Sequence, residues 1–304
     1  MSPFVYNSAR GASHRPPFSP TGSPIGYPLR PPPFERASIG DRRPFLQERL
    51  VKGAQLFVGL LLTALVSEAC ASSDLVAPTQ SSSCSTAGLM GNYGSQRNGQ
   101  TVPGTFWTSV GLAVFDGRGN INSQQAVSIN GASSPVASQV GTYTINADCT
   151  GTESDASGKV LSTLVMVHGG DEVLGISVIP GSSMTVHYER IVGPCSNAML
   201  VGDYGFQRNG QTGPGLSLLA LGTITFDGKG NSVAAQTLDR SGTVSSVANQ
   251  IGTYLINPDC TGTQTDPATG KVFGQLVVVH GGDELLGMST TAGNNVVIHY
   301  EKVK

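Results

Sequence analysis

Charge is scarce in this chain. Asp, Glu, Lys and Arg make up 12% of 304 residues, aromatic residues 6%, and there is one tryptophan. Few charges beside 40 glycines argue against long solvent-facing helices and for short strands joined by tight turns. No apolar stretch approaches the ~20 residues that a membrane-spanning helix requires. The sequence holds no GxSxG, no GxxxxGK[ST], no CxxC and no DxDxDG. It therefore lacks the usual signatures of a serine-hydrolase elbow, a phosphate-binding loop, a zinc knuckle and a calcium loop.

The charge that is present divides unevenly. Residues 1–71 carry eight Lys/Arg and four Asp/Glu, and residues 72–304 carry ten and sixteen, so the body is near −6. That is the wrong sign for a phosphate-binding footprint, and nucleic acid is not expected as a partner. Ten of the 18 prolines fall within residues 1–49, in a segment too poor in apolar residues to fold, so residues 1–50 read as a disordered leader. Residues 51–71 have the anatomy of a secretory signal: Lys52, an apolar run from Leu56 to Val66, then Ala69-Cys70-Ala71. Such a signal normally opens a chain, which suggests a translation start near Val51, with an authentic Pro-rich leader the alternative. Cleavage after Ala71 would free the protein, whereas Cys70 is the alternative as a lipid anchor, although Ser67-Glu68-Ala69 departs from a lipoprotein box. Residues 72–83 form a Ser-rich linker. An exported location, periplasmic, secreted or on the outer surface, follows.

What is abundant is repetition. GTYTINADCTGT (141–152) returns as GTYLINPDCTGT (252–263), YGSQRNGQT (93–101) as YGFQRNGQT (204–212), and FDGRGN (115–120) as FDGKGN (226–231). VMVHGGDEVLGIS (165–177) returns as VVVHGGDELLGMS (277–289). The offset is 111 residues through DCTGT and 112 afterwards. The units, 84–190 and 195–302, are domain-sized and far longer than solenoid repeats. In the first, apolar or alternating runs are broken by turn signals into eight segments: 89–95, 106–115, 120–129, 136–145, 149–154, 160–168, 172–178 and 184–190. Two tandem antiparallel eight-stranded β-barrels are predicted, with β-sandwiches the alternative. Closure removes exposed strand edges.

Four body cysteines, Cys84 and Cys149, Cys195 and Cys260, are both spaced by 65 residues. One disulfide per repeat is the pairing that lets each unit fold alone.

Several residues could carry chemistry. In HGGDE, His168, Asp171 and Glu172, with His280, Asp283 and Glu284, offer a base and carboxylates; Gly169-Gly170 also reads as a two-residue hairpin turn with His168 facing Asp171. His187 with Glu189, and His299 with Glu301, share a strand face at i, i+2. If His168 and His187 converge, they and the two glutamates would form a hydrolytic or metal-binding cluster, yet no nucleophile is marked. No catalytic residue, metal or cofactor is assigned. Gln96, Arg97 and Asn98, with Gln207, Arg208 and Asn209, read as polar loops at a barrel mouth that contact a ligand, or as plain Asn-Gly turns. Asp116-Gly117 and Asp227-Gly228 read as hairpin turns.

The ordered set YGxQxNG, FDGxGN, GTYxxxxDCTGT and GGxE, spanning residues 84–302, resembles a group of exported bacterial proteins that carry this unit singly or in tandem and have no assigned activity. The resemblance implies an exported barrel loosely similar to lipocalin-like and allene-oxide-cyclase-like folds. The group's positions for His168 and His280 are not usually histidine, which puts a shared catalytic role for them in doubt. The expected function is non-enzymatic binding of a small apolar or amphipathic ligand, or of an envelope partner. A hydrolase or isomerase using the histidines and carboxylates is one alternative, and a structural or adhesive surface repeat another.

Overall fold

The protein is described by a computed structural model over residues 84–304; the leader, signal, linker and Cys70 lie outside the described residues. Alternating apolar and polar residues turn each repeat into a closed antiparallel sheet. The first barrel runs β1 (Met90–Val102), β2 (Thr105–Asp116), β3 (Asn120–Ile129), β4 (Ala132–Ile145), β5 (Thr150–Asp155), β6 (Val160–Val167), β7 (Glu172–Ser177) and β8 (Ser183–Arg190). The second runs β9 (Val201–Gln211), β10 (Ser217–Asp227), β11 (Asn231–Arg240), β12 (Thr243–Ile256), β13 (Thr261–Thr265), β14 (Val272–Val279), β15 (Glu284–Ser289) and β16 (Asn295–Lys302). Strands pair in chain order and close through β1 with β8 and β9 with β16. Every strand therefore has two neighbours, and the barrel alternative is the one adopted.

The few aromatic residues are concentrated where they pack best. Phe115 sits at the centre of edge-on contacts to Tyr93, Tyr143 and Tyr188, with centroids 5.1, 4.9 and 5.2 Å away. Phe226 repeats this with Tyr204, Tyr254 and Tyr300. Edge-to-face geometry suits the ring quadrupoles, so each barrel has one aromatic knot in its core. Beside each knot a disulfide closes the barrel end, Cys84–Cys149 and Cys195–Cys260. The FDGxGN segments are tight turns, as expected: Asp116 Oδ1 accepts from the backbone N–H of Arg118 and Asn120 at 2.7 and 2.9 Å, and Asp227 does the same.

Two sequence expectations are corrected. The QRNGQT segments are not loops at a mouth; the first lies inside β1 and the second, up to Gln211, inside β9, because Tyr93, Ser95 and Arg97 continue the inward-facing alternation. The His168–Gly170 turn is also wider than a two-residue hairpin. The last paired residues are Val167 and Glu172, so His168 and Asp171 sit within the turn rather than across strands. Asp171 instead pairs with Arg190 at 2.6 Å.

The barrels abut along one seam made from non-equivalent faces. Val110 of β2 packs with Val277 and Val279 of β14 and with Leu286 and Met288 of β15, and Ile191 of the connector joins them. Gln96 Nε2 crosses the seam to the carbonyl oxygens of Gly287 and Ile298 at 2.9 and 3.0 Å. Gly94 allows this approach, since a Cβ there would lie 2.6 Å from Val279 Cγ1.

Candidate functional sites

Two constellations stand out, one inside the barrels and one on the seam. The interiors differ although the sequences are duplicates. In barrel 1 the buried Arg97 Nη2 donates to Glu153 Oε1 at 2.6 Å and to the Tyr188 hydroxyl at 2.7 Å, and Tyr188 donates to Glu153 Oε2 at 3.0 Å. Burial works against the charged guanidinium, but the Tyr188 and Glu153 oxygens outweigh it and hold the Arg97 pKa above its usual value. Ser109 donates to Gln125, and Gln125 to Ser95, completing a polar interior.

Barrel 2 keeps the arginine and tyrosine and loses the acid. Position 264 is Gln where its counterpart 153 is Glu, and Tyr300 donates to Gln264 Oε1 at 2.9 Å. Phe206 and Ala220 replace Ser95 and Ser109. Among the described residues no carboxylate pairs with Arg208. Its guanidinium lies 5.2 Å from the Phe206 ring centroid, and its Nε is buried with no hydrogen-bond partner. Arg208 borders a cavity of about 140 Å³ lined by the apolar Leu218, Phe273, Val296 and Ile298 and by the polar Gln250, Ser289, Thr291 and Asn294. In barrel 1 the position of Leu218 is taken by the larger Trp107. The neighbouring Gln96, Asn98, Gln207 and Asn209 alternate with the arginines on the strands; Gln96 serves the seam, and Gln207 and Asn209 lie on the outer face of barrel 2.

On the seam, the HGGDE turns and the last strands of both repeats converge. Glu172 opens β7 opposite Glu189 in β8, two residues beyond His187. Glu172 accepts from both histidines, at 2.9 Å from His168 Nδ1 and 2.8 Å from His187 Nε2. Glu189 is the junction: Oε1 lies 3.2 Å from His187 Nε2 and 3.8 Å from His299 Nε2, and Oε2 lies 3.9 Å from His280 Nδ1. Glu284 completes the group, 3.4 Å from His280 Nδ1 and 3.3 Å from His299 Nε2. Asp171, Asp283 and Glu301 stay outside it: Asp171 is held by Arg190, and Glu301 is exposed.

Burial, followed by the proximity of Glu284, pushes the Glu189 carboxyl up to about 9. Burial also works on Glu284, but hydrogen bonds from Glu189 and His299 take its pKa below the usual value. Glu189 thus holds the proton that the two carboxyls share. Burial lowers the His187 pKa, against the pull of Glu172. Two donor sets have all their ligating atoms within 4.8 Å of one another: Glu172, His187 and Glu189, and Glu189, His280 and Glu284.

The i, i+2 pairs were visible in the sequence. The burial of Glu189 was not, because it is barrel 2 that covers the outer face of β8. Glu153 and Gln264 were not singled out; the signal was the one charged position of DCTGTES that its copy, DCTGTQT, does not keep.

The fold and sites define a class, tandem disulfide-bonded closed β-barrels. No protein-family model matches the chain, and no curated protein matches it. A solved structure of a DUF3598-family protein of unknown function from Nostoc punctiforme aligns over 71% of this chain and 97% of its own, at 8% identity and a TM-score of 0.24. BamB from Moraxella catarrhalis aligns over 64% and 81%, at 9% identity and a TM-score of 0.14. At these scores neither likeness carries an argument about this chain.

Proposed function

We propose that this is an exported binding protein whose second barrel takes up a small ligand with a carboxylate head and an apolar body. The observation that carries the reading is the difference between the repeats. Arg97 has an internal counter-ion in Glu153, whereas Arg208 meets the Tyr300 hydroxyl, has Gln264 at the position matching Glu153, and borders a cavity. A guanidinium without a carboxylate partner, at the edge of a small cavity with both polar and apolar walls, favours a carboxylate supplied from outside, since charge-assisted hydrogen bonds are stronger than neutral ones. The volume, about 140 Å³, is of the size that accommodates a benzene-sized molecule. Barrel 1, with its internal ion pair, is the supporting repeat.

The two disulfides support export, because such bonds persist in oxidising compartments. Intact mass of the protein recovered from its host would check this: the reading expects a chain lacking residues 1–71 with its four body cysteines oxidised, and free thiols would oppose it.

The binding test is calorimetric titration with butanoate and benzoate. Saturable binding of one equivalent is expected. Gln264→Glu recreates the barrel 1 pair and should weaken binding by ~10-fold or more, since a hydrogen bond to a charged group contributes about 1.5–3 kcal/mol. Equal affinity in the two proteins, or no saturable binding, would overturn the reading.

A further inference from the structure

We infer that the seam between the barrels is a binding site for one divalent transition-metal ion, held by Glu189 from barrel 1 with His280 and Glu284 from barrel 2. The inference stands apart from the carboxylate cup, which lies inside barrel 2 and shares none of these residues.

Three observations carry it. First, Glu189 is buried, its side chain 2% exposed, and its Oε2 has no hydrogen-bond partner. That oxygen faces imidazole at 3.9 Å, too far for a hydrogen bond and well placed for a shared ion, whose binding would displace the proton that Glu189 shares with Glu284. Second, the two donor sets differ in how much room they leave. Around His187 the donors already touch, at 2.8 Å to Glu172 and 3.2 Å to Glu189. Around His280 the spacings are 3.4 and 3.9 Å. Tetrahedral zinc, with bonds of about 2.0–2.1 Å, holds neighbouring donors roughly 3.4 Å apart, so the His280 set needs only small side-chain rotations. Third, His299 stands behind the site, its Nε2 3.3 Å from Glu284 Oε2 and 3.8 Å from Glu189 Oε1. It can orient a ligating carboxylate as outer partners of metal sites do.

The donor types select the metal. Imidazole nitrogen beside carboxylate oxygen suits zinc, copper, nickel or ferrous iron, whereas calcium and magnesium prefer all-oxygen sites. Because the ligands come from both repeats, the ion would fasten the barrels to one another.

The test uses the full chain with its disulfides intact, stripped by chelator and titrated with ZnCl2, and with CoCl2 to follow the visible bands of the bound ion. One ion per chain is expected, together with a rise in Tm that follows from binding to the folded state. Glu189→Gln and His280→Gln should each weaken zinc binding by more than ~10-fold, with the apo Tm of each variant recorded to establish that it folds. His168→Ala, whose ring is 75% exposed on the far side of Glu172, should leave affinity unchanged. Zinc affinity retained in His280→Gln, an equal loss in His168→Ala, or no cobalt bands in the parent protein would overturn the inference. Should Glu189→Gln fail to fold, the contrast of His280→Gln with His168→Ala, together with the cobalt spectrum of the unaltered protein, still decides it.

Discussion

At the scale of single residues, one charge separates the two repeats. Glu153 and Gln264 occupy matching places, and the exchange converts a self-neutralised interior into one whose guanidinium meets a tyrosine hydroxyl and no carboxylate. Glu153 should therefore be needed for stability where Gln264 is not. Glu153→Gln leaves Arg97 buried without its anion, and breaking a buried pair in this way costs about 3–5 kcal/mol. Urea unfolding should show a loss of that size, and a loss under ~1 kcal/mol would mean that Arg97 is compensated elsewhere. This contrast was legible once the repeats were aligned. Whether Arg97 and Arg208 point inward was obscured by their setting, because Gln-Arg-Asn-Gly reads as a turn until the alternation starting at Tyr93 is followed through it.

At the scale of elements, turns and strand faces do the positioning. The FDGKGN turn depends on Asp227, whose pKa is lowered to about 2 by hydrogen bonds from the Asn231 side chain and from the backbone N–H of Asn231 and Lys229. A carboxylate with a depressed folded pKa contributes stability above its unfolded value and loses it as pH falls. Here the loss runs from about pH 4 down to about pH 2. Asp227→Asn should flatten that part of the stability profile, and an unchanged profile would show that the turn does not depend on the charge. The strand pattern itself was readable from sequence: eight runs per repeat match eight strands, with β1 and β4 longer than expected because glycine and polar residues continue the pairing. The outer face of β8 was not readable. His187 and Glu189 carry the signature of a wetted strand, and only the apposition of barrel 2 buries Glu189. That contact depends on Gly94, where any side chain meets Val279. Gly94→Val should loosen the seam and leave each barrel folded. Thermal unfolding would then resolve into two transitions, whereas a single unshifted transition would contradict this role for Gly94.

For the whole molecule, duplication and the disulfides set the design. Each repeat closes its own 65-residue span with one bond, a constraint worth about 4 kcal/mol in the chain-entropy model. Removing Cys84 and Cys149 together should destabilise barrel 1 by that order and leave the unfolding of barrel 2 nearly unchanged; equal losses in both barrels would show that the repeats do not fold on separate staples. With each fold secured locally, one interior could diverge while the other stayed closed. The connector between the repeats, Ile191–Pro194, is short, which is compatible with close contact or with a strand exchanged between units. Each sheet closes on its own strands, and the apolar packing of Val110 with Val277, Val279, Leu286 and Met288 joins the repeats. Sequence could indicate that contact but not which faces meet, since the seam joins surfaces that are not equivalent in the two repeats.

On the proposed reading, the repeat whose arginine lacks an internal anion is the one that binds. Nuclear magnetic resonance of the arginine Nε–H groups tests it most directly, because Arg97 and Arg208 both bury that atom without a partner and differ in the anion beside them. On titration with butanoate, the Arg208 resonance should shift and saturate at one equivalent while that of Arg97 stays still. An immobile Arg208 resonance, or equal shifts at both arginines, would rule out binding at Arg208.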